Sequence, residues 1–192
     1  MTGILAMAAA GTGRRGPGAS DCERATLADG TSIALRPIRP TDAPQLQAAL
    51  LELSERTRYL RFHGPRGEFS PEELRFLTEV DGKTHFALAA FTMRPERLVA
   101  VGRFVRDSPS SAEAEIALVV ADALQGKGLG ELLLSRLREV ALERDVTRFT
   151  GAMLEENRSM RGLLRKLGGR VGLPSRGVCE IQLALSSVAQ ES

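Results

Sequence analysis

Residues 125–130, Gln-Gly-Lys-Gly-Leu-Gly, join a stretch of strand character to a stretch of helical character. Glycines in such a turn let the backbone approach a ligand closely, and successive N–H groups at a helix N-terminus cradle an anion such as a phosphate. A tight strand-to-helix connection that needs flexible residues explains the same turn, and the turn alone divides the two readings evenly. Two familiar phosphate motifs do not fit. A P-loop closes with Gly-Lys-Ser/Thr, whereas Lys127 is followed by Gly128. A dinucleotide fingerprint has GxGxxG spacing early in a βαβ unit, whereas Gly126, Gly128 and Gly130 are spaced GxGxG and follow a meander of strands. Upstream, Glu113 and Glu115 alternate with Ala114, Ile116 and Leu118, a pattern that puts both carboxylates on the solvent side of a half-exposed strand. Asn157 opens a helical run and suits an N-cap.

The elements that position these residues follow from periodicity. Residues 31–36 alternate as a strand, with Ile33 and Leu35 on one face, until Pro37. Thr41 and Asp42 start a helix carrying Leu46, Ala49, Leu50 and Leu53. The arginine-rich stretch 54–62 has no clear period. Ser70, Pro71 and Glu73 form a capping box with Pro at the first helical position, and Phe69 with Leu74 can close as a staple. Three strands are expected over 84–91, 98–106 and 112–120. A helix over 130–143 aligns Leu133, Leu137, Val140 and Ala141. A strand at 147–154, a helix at 157–167 with Met160, Leu163, Leu164 and Leu167, and a strand at 178–185 complete the chain. Alternation of helix and strand near the end implies parallel pairing there, and the meander is antiparallel. The expected class is α/β with a mixed, mostly antiparallel sheet and helices on both faces.

Residues 120–130 resemble the acetyl-CoA motif of the GNAT superfamily of N-acetyltransferases, Gln/Arg-x-x-Gly-x-Gly/Ala, with Gln125, Gly128 and Gly130 filling it. Residues 157–168 are similar to the family's Asn-containing helix. The resemblance covers about four fifths of the chain, from Thr31 to Leu185, and implies a GNAT fold with a parallel strand pair at the cofactor cleft. It implies that Leu118, Val119 and Val120 pair with the pantetheine arm. Gln125, Gly126, Lys127, Gly128, Leu129, Gly130 and Glu131 would form the pyrophosphate cradle, and Asn157 would contact the cofactor arm. The chain departs from the family at Leu164, where many members carry a Tyr that protonates the departing thiolate, and at Gly169, often aromatic. The Tyr role therefore passes to another donor or to water.

The stretch from Ile33 to Arg61, with Leu35-Arg-Pro-Ile-Arg-Pro-Thr-Asp42 and Thr57-Arg-Tyr-Leu-Arg61, is similar to the acetyltransferase domain of bacterial protein-lysine acetyltransferases. Larger members fuse that domain to a regulatory one, for which this length leaves no room. The resemblance makes Glu115, in Glu115-Ile116-Ala117, the general base. An amine protonated at neutral pH must lose a proton before it attacks a thioester, and a carboxylate in partly apolar surroundings has its pKa raised toward that task. His63 and His85 are alternative bases, and His85, within an apolar strand, reads better as structural. Tyr59 suits the acceptor site or the core equally. Arg161, Arg165 and Lys166 suit CoA phosphates or a solvated helix face. The implied partners are acetyl-CoA and an amine acceptor, a protein lysine first. A small amine or antibiotic, or a non-catalytic acyl-CoA sensor, are the alternatives.

Composition bounds these readings. The length of 192 residues suits one domain, expected over 21–192 behind a Gly- and Ala-rich tail over 1–20 that reads as disordered or as a misplaced start. In that tail Arg14 and Arg15 follow the apolar residues, the reverse of a signal peptide. Lys and Arg number 26 against 24 Asp and Glu, and aromatics are 4%, so neither nucleic acid nor an anionic membrane is an expected partner. Cys22 and Cys179 lie far apart with no CxxC, and no metal is expected; a reducing cytoplasm fits, although a single disulfide stays open. A monomer or homodimer is expected.

Overall fold

The computed structural model describes residues 22–185, so the expected tail over 1–20 lies outside the described residues. Strands β1 (Glu23–Thr26) and β2 (Ser32–Pro37) lead through a 3-10 turn (Pro40–Asp42) to helices α1 (Ala43–Glu52), α2 (Glu55–Phe62) and α3 (Pro71–Thr78). Strands β3 (His85–Met93), β4 (Glu96–Val105) and β5 (Glu113–Val120) follow, then α4 (Leu129–Leu142), β6 (Arg148–Leu154), α5 (Arg158–Lys166), β7 (Arg170–Val171) and β8 (Val178–Ala184). The unassigned stretch 54–62 is α2. Ser54 caps it by accepting from the Thr57 N–H, and Glu55 and Arg61 sit at the ends where the helix dipole favours their charges. The expected capping box at Ser70 and Glu73 is present in both directions.

The strands form one sheet in the order β1-β2-β3-β4-β5-β6-β8-β7. All pairs are antiparallel except β5 with β6. Parallel pairing of the last long strand with β6 is not found: β8 runs antiparallel to it, from Arg148 opposite Ala184 to Leu154 opposite Val178. The crossover from β6 through α5 reaches the short β7 at the sheet edge, and the chain then turns back so that β8 inserts between them. Periodicity missed β7 because two residues carry no period.

The parallel pair is short. It joins Glu113–Glu115 to Arg148–Thr150 only, while β5 continues to Val120 and β6 stays with β8 as far as Leu154. The two strands therefore fork, and residues 116–120 of β5 have no strand partner on the β6 side.

Side chains alternate across this sheet and fill two cores. On one face Phe86, Phe104, Ile116, Leu118 and Val120 pack with Leu133, Leu134 and Leu137 of α4 and Met160, Leu163 and Leu164 of α5. Gly102 allows that approach, since a Cβ there would lie 2.6 Å from a Leu118 methyl and 2.8 Å from one of Leu137. On the other face Ala87, Ala89, Phe91 and Val101 pack beneath α1 and α3 with Leu46. The Leu35–Asp42 motif ties this layer down. Arg36 donates to both oxygens of the buried Asp42, at 2.7 and 2.8 Å, and lies 4.1 Å above the Phe91 ring.

Candidate active site

The strand–turn–helix around Gly128 is built for backbone exposure. Gly126 and Gly128 take φ of 73° and 100°, a left-handed geometry that side chains resist. A Cβ at Gly126 would meet nothing within 4 Å, so the turn opens onto free space. Helix α4 begins at Leu129 with no side-chain cap, whereas α2, α3 and α5 are capped by Ser54, Ser70 and Asn157. The first N–H groups of α4 thus keep their donor capacity and the positive end of the helix dipole.

Side chains around the turn are committed to holding it. Gln125 donates from Nε2 to the Val120 carbonyl at 3.0 Å and to Thr57 Oγ1 at 3.1 Å. Thr57 and Ser54 in turn donate to Asp122, each at 2.6 Å, which fastens the start of α2 to the exit of β5. Lys127 pairs with Asp29 at 2.9 Å in the β1–β2 turn, and Glu131 accepts from Lys166 of α5 at 2.7 Å. Leu118 and Val120 point into the α4-side core. For Leu118, Val119 and Val120 the groups left for a ligand are on the backbone edge facing the fork.

At the other end of β5 the two glutamates differ. Pairing with β6 is regular from Glu113 to Glu115, and the intervening Ala114 turns into the α4-side core, so Glu113 and Glu115 share the opposite, α2 face. Glu113 forms an ion pair with Arg148 of β6. Among the described residues Glu115 makes no side-chain hydrogen bond. Although it is exposed by surface area, the protein around its carboxyl strips enough hydration to raise its pKa, against the pull of Arg61. Helix α2 contacts both β5 and β6 and so lies over the fork.

His85 accepts at Nε2 from Arg103 at 2.9 Å and lies against the Phe76 ring, with centroids 4.7 Å apart. Burial, then Arg103, holds its pKa down to about 4, so it is neutral and committed at pH 7. His63 ends α2 in the left-handed region, φ 57°, and its pKa is lowered by burial and then by Arg61. Both cysteines are thiols, Cys22 exposed and Cys179 buried.

A model of the acetyltransferase (GNAT) domain matches residues 32–170. The chain belongs to the GNAT acetyltransferase family. Acetyltransferase Pat of Mycolicibacterium smegmatis is 34% identical over 134 residues, 70% of this chain and 40% of that protein. An acetyltransferase of Pseudomonas aeruginosa is 30% identical over 145 residues, 74% of this chain and 77% of its own length. Among solved structures, the GNAT domain of S. lividans PAT superposes with a TM-score of 0.80 at 27% identity, covering 85% of this chain and 97% of that one. This GNAT domain thus spans less than half of the mycobacterial relative. Enzymes of the family use acetyl-CoA and an amine acceptor.

Other expected GNAT positions are placed as follows. Leu164 is wholly buried in the α4-side core. A Cβ on Gly169 would lie 3.0 to 3.2 Å from Leu164, leaving an aromatic ring there no room without repacking. Asn157 is buried and its Oδ1 accepts from the Met160 N–H at 3.1 Å as the α5 cap. Tyr59 is exposed on α2, in a groove of about 530 Å³ shared with Arg56, Arg66 and Glu156. Sequence reasoning passed over Thr57, Asp122 and Arg103.

Proposed function

We propose that this GNAT domain transfers the acetyl group of acetyl-CoA to the ε-amine of a protein lysine by direct attack, with Glu115 as general base. The observation that carries the reading is the uncommitted carboxyl of Glu115 at the closed end of the fork, on the strand whose free edge leads to the glycine turn. Backbone N–H groups of Gly126, Lys127, Gly128, Leu129, Gly130 and Glu131 would hold the pyrophosphate. The free edge of Leu118, Val119 and Val120 would align the pantetheine arm, with Gln125 fixing the turn and Asn157 the start of α5 beside it.

Bound acetyl-CoA supplies a thioester whose acetyl carbon accepts the amine. Glu115, directly or through one water, takes one proton from the acceptor ammonium, and the freed lone pair forms the new C–N bond. The C–S bond then breaks with its electrons on sulfur, and the nitrogen gives up its second proton to solvent to leave the neutral amide. Thiols have pKa values near ~8.5, so water suffices to protonate the departing thiolate without a tyrosine at position 164. The likeness of residues 33–61 to protein-lysine acetyltransferase domains supports a protein acceptor. Free-thiol release from acetyl-CoA, measured across protein lysines, polyamines and aminoglycosides, tests the reading. Release with protein lysines above the rest is expected; release only with small amines, or binding with no release, overturns it.

A further inference from the structure

The Glu115 end of the fork holds more positive charge than the base accounts for. Arg103 projects from β4 on the face of Glu115, since it lies opposite Ala117 while its neighbour Val105 lies opposite Glu115. It is 6% exposed, and its Nη1 meets only neutral partners, the Leu77 carbonyl at 3.1 Å and neutral His85. Arg61 enters from the last turn of α2. Its side chain makes no hydrogen bond or ion pair among the described residues and lies 4.9 Å from the Phe62 ring centroid. The carboxylate it feels is Glu115, and its own charge bears on Arg103. At the end of the same helix, His63 Nε2 is buried with no hydrogen-bond partner among the described residues.

Elsewhere several partly buried arginines have carboxylates, Arg36 with Asp42, Arg136 with Glu23 and Arg66 with Glu73, and Arg58 donates to the Arg66 carbonyl. Buried Arg106 is satisfied by two carbonyls. Asp107, the other carboxylate that Glu115 senses, offsets neither Arg61 nor Arg103. When Glu115 takes a proton its charge vanishes, and buried Arg103 and half-buried Arg61 are left on this side of the sheet with no carboxylate to offset them, an arrangement that costs free energy. The phosphate cradle is too distant to neutralise them, because β5 runs ~17 Å from Glu115 to Val120. Thr57, bonded to Gln125, likewise stands a full helical turn from Arg61.

We propose that Arg61 and Arg103 form an anion subsite that receives a carboxylate carried by the acceptor, so that the acetylated amine has an acidic group beside it. The proposal rests on Glu115 as the base and narrows the acceptor class. Polyamines, which bring only further positive charge, are disfavoured by the same pair. Phe76, 58% exposed and tilted against the ring of His85, the Arg103 partner, offers an apolar rim for the acceptor's aliphatic part.

The test uses the full chain with acetyl-CoA and short peptides holding one lysine flanked by Asp, Ala or Arg, together with free lysine and lysine amide. The Asp peptide is expected to exceed the Ala peptide about tenfold in kcat/KM, mostly through KM, the worth of ~1.4 kcal/mol. The Arg peptide should be poorest. Arg61→Met should erase the Asp-over-Ala preference and leave the Kd for acetyl-CoA unchanged, with Arg61→Lys restoring part of it. Arg103→Gln repeats the test where folding permits. A preference for free lysine over its amide, with no preference among peptides, assigns the subsite to the α-carboxylate of an amino acid. Equal rates for all peptides and for both lysine forms overturn the subsite while leaving the base in place. A weakened Kd for acetyl-CoA in Arg61→Met would also overturn it. Turnover with no acceptor overturns both readings.

Discussion

Glu113 and Glu115 share a strand and a face, yet only the first has a cation within bonding reach. That difference in surroundings separates an ion pair at the start of β5 and β6 from a carboxylate with no such partner. Gly128 is decided by backbone geometry instead. Its φ of 100° resists any side chain, and a carboxylate there would fill the cradle and repel phosphate. Gly128→Glu is expected to abolish the thermal shift given by acetyl-CoA, and an undiminished shift in a folded variant would place the cofactor elsewhere. His85 carries a pH prediction. Its folded pKa of about 4 lies below the unfolded value of ~6.5, so the unfolded chain binds the extra proton between those limits. Its contribution is therefore complete above pH ~6.5 and is lost as pH falls toward 4, on the order of 3 kcal/mol at most. His85→Gln should flatten that part of a Tm-against-pH curve; an unchanged slope would show that another group sets it.

Among the elements, those with an apolar stripe were legible and those without were not. Helix α4 shows Leu133, Leu137, Val140 and Ala141 at helical spacing because they meet a sheet face, and all are buried. Helix α2 buries no residue, because it lies over the fork and serves polar contacts, so its sequence carries no stripe to read. Strand β1 is equally quiet, with four residues of alternating partial burial. The glycine turn between strand and helix was legible through its glycines, whereas the Thr57–Asp122–Gln125 network joins residues far apart in sequence and no local pattern announces it. Asp122→Ala removes the acceptor for Ser54 and Thr57, so a loss of roughly 1–2 kcal/mol is expected, with weaker acetyl-CoA binding as α2 loosens. Intact stability would show that α2 is held by other contacts. Asp42→Asn leaves Arg36 without its charge partner in a buried setting, and a loss of about 3–5 kcal/mol in denaturant unfolding is expected. A change below 1 kcal/mol would mean that water takes the place of the carboxylate.

Over the whole molecule, one eight-stranded sheet packed on both faces carries a fork at its only parallel pair among the described residues. The glycine turn, the free strand edge and Glu115 lie in sequence along β5 and its exit, the order that the proposed binding path follows. No helix of the described residues is long and apolar enough to cross a membrane. Ligand at a hundredfold excess over Kd should stabilise the folded chain by roughly 2.7 kcal/mol. The most direct measurement is steady-state acetyl transfer to a lysine acceptor by Glu115→Gln beside Glu113→Gln, from pH 6 to 9. The Glu115 variant should bind acetyl-CoA normally and lose about two to four orders of magnitude in turnover at neutral pH. The deficit should shrink as solvent deprotonates the amine, while Glu113→Gln stays near wild type. Near-normal turnover by Glu115→Gln at neutral pH, or collapse with Glu113→Gln alone, would contradict Glu115 as the base.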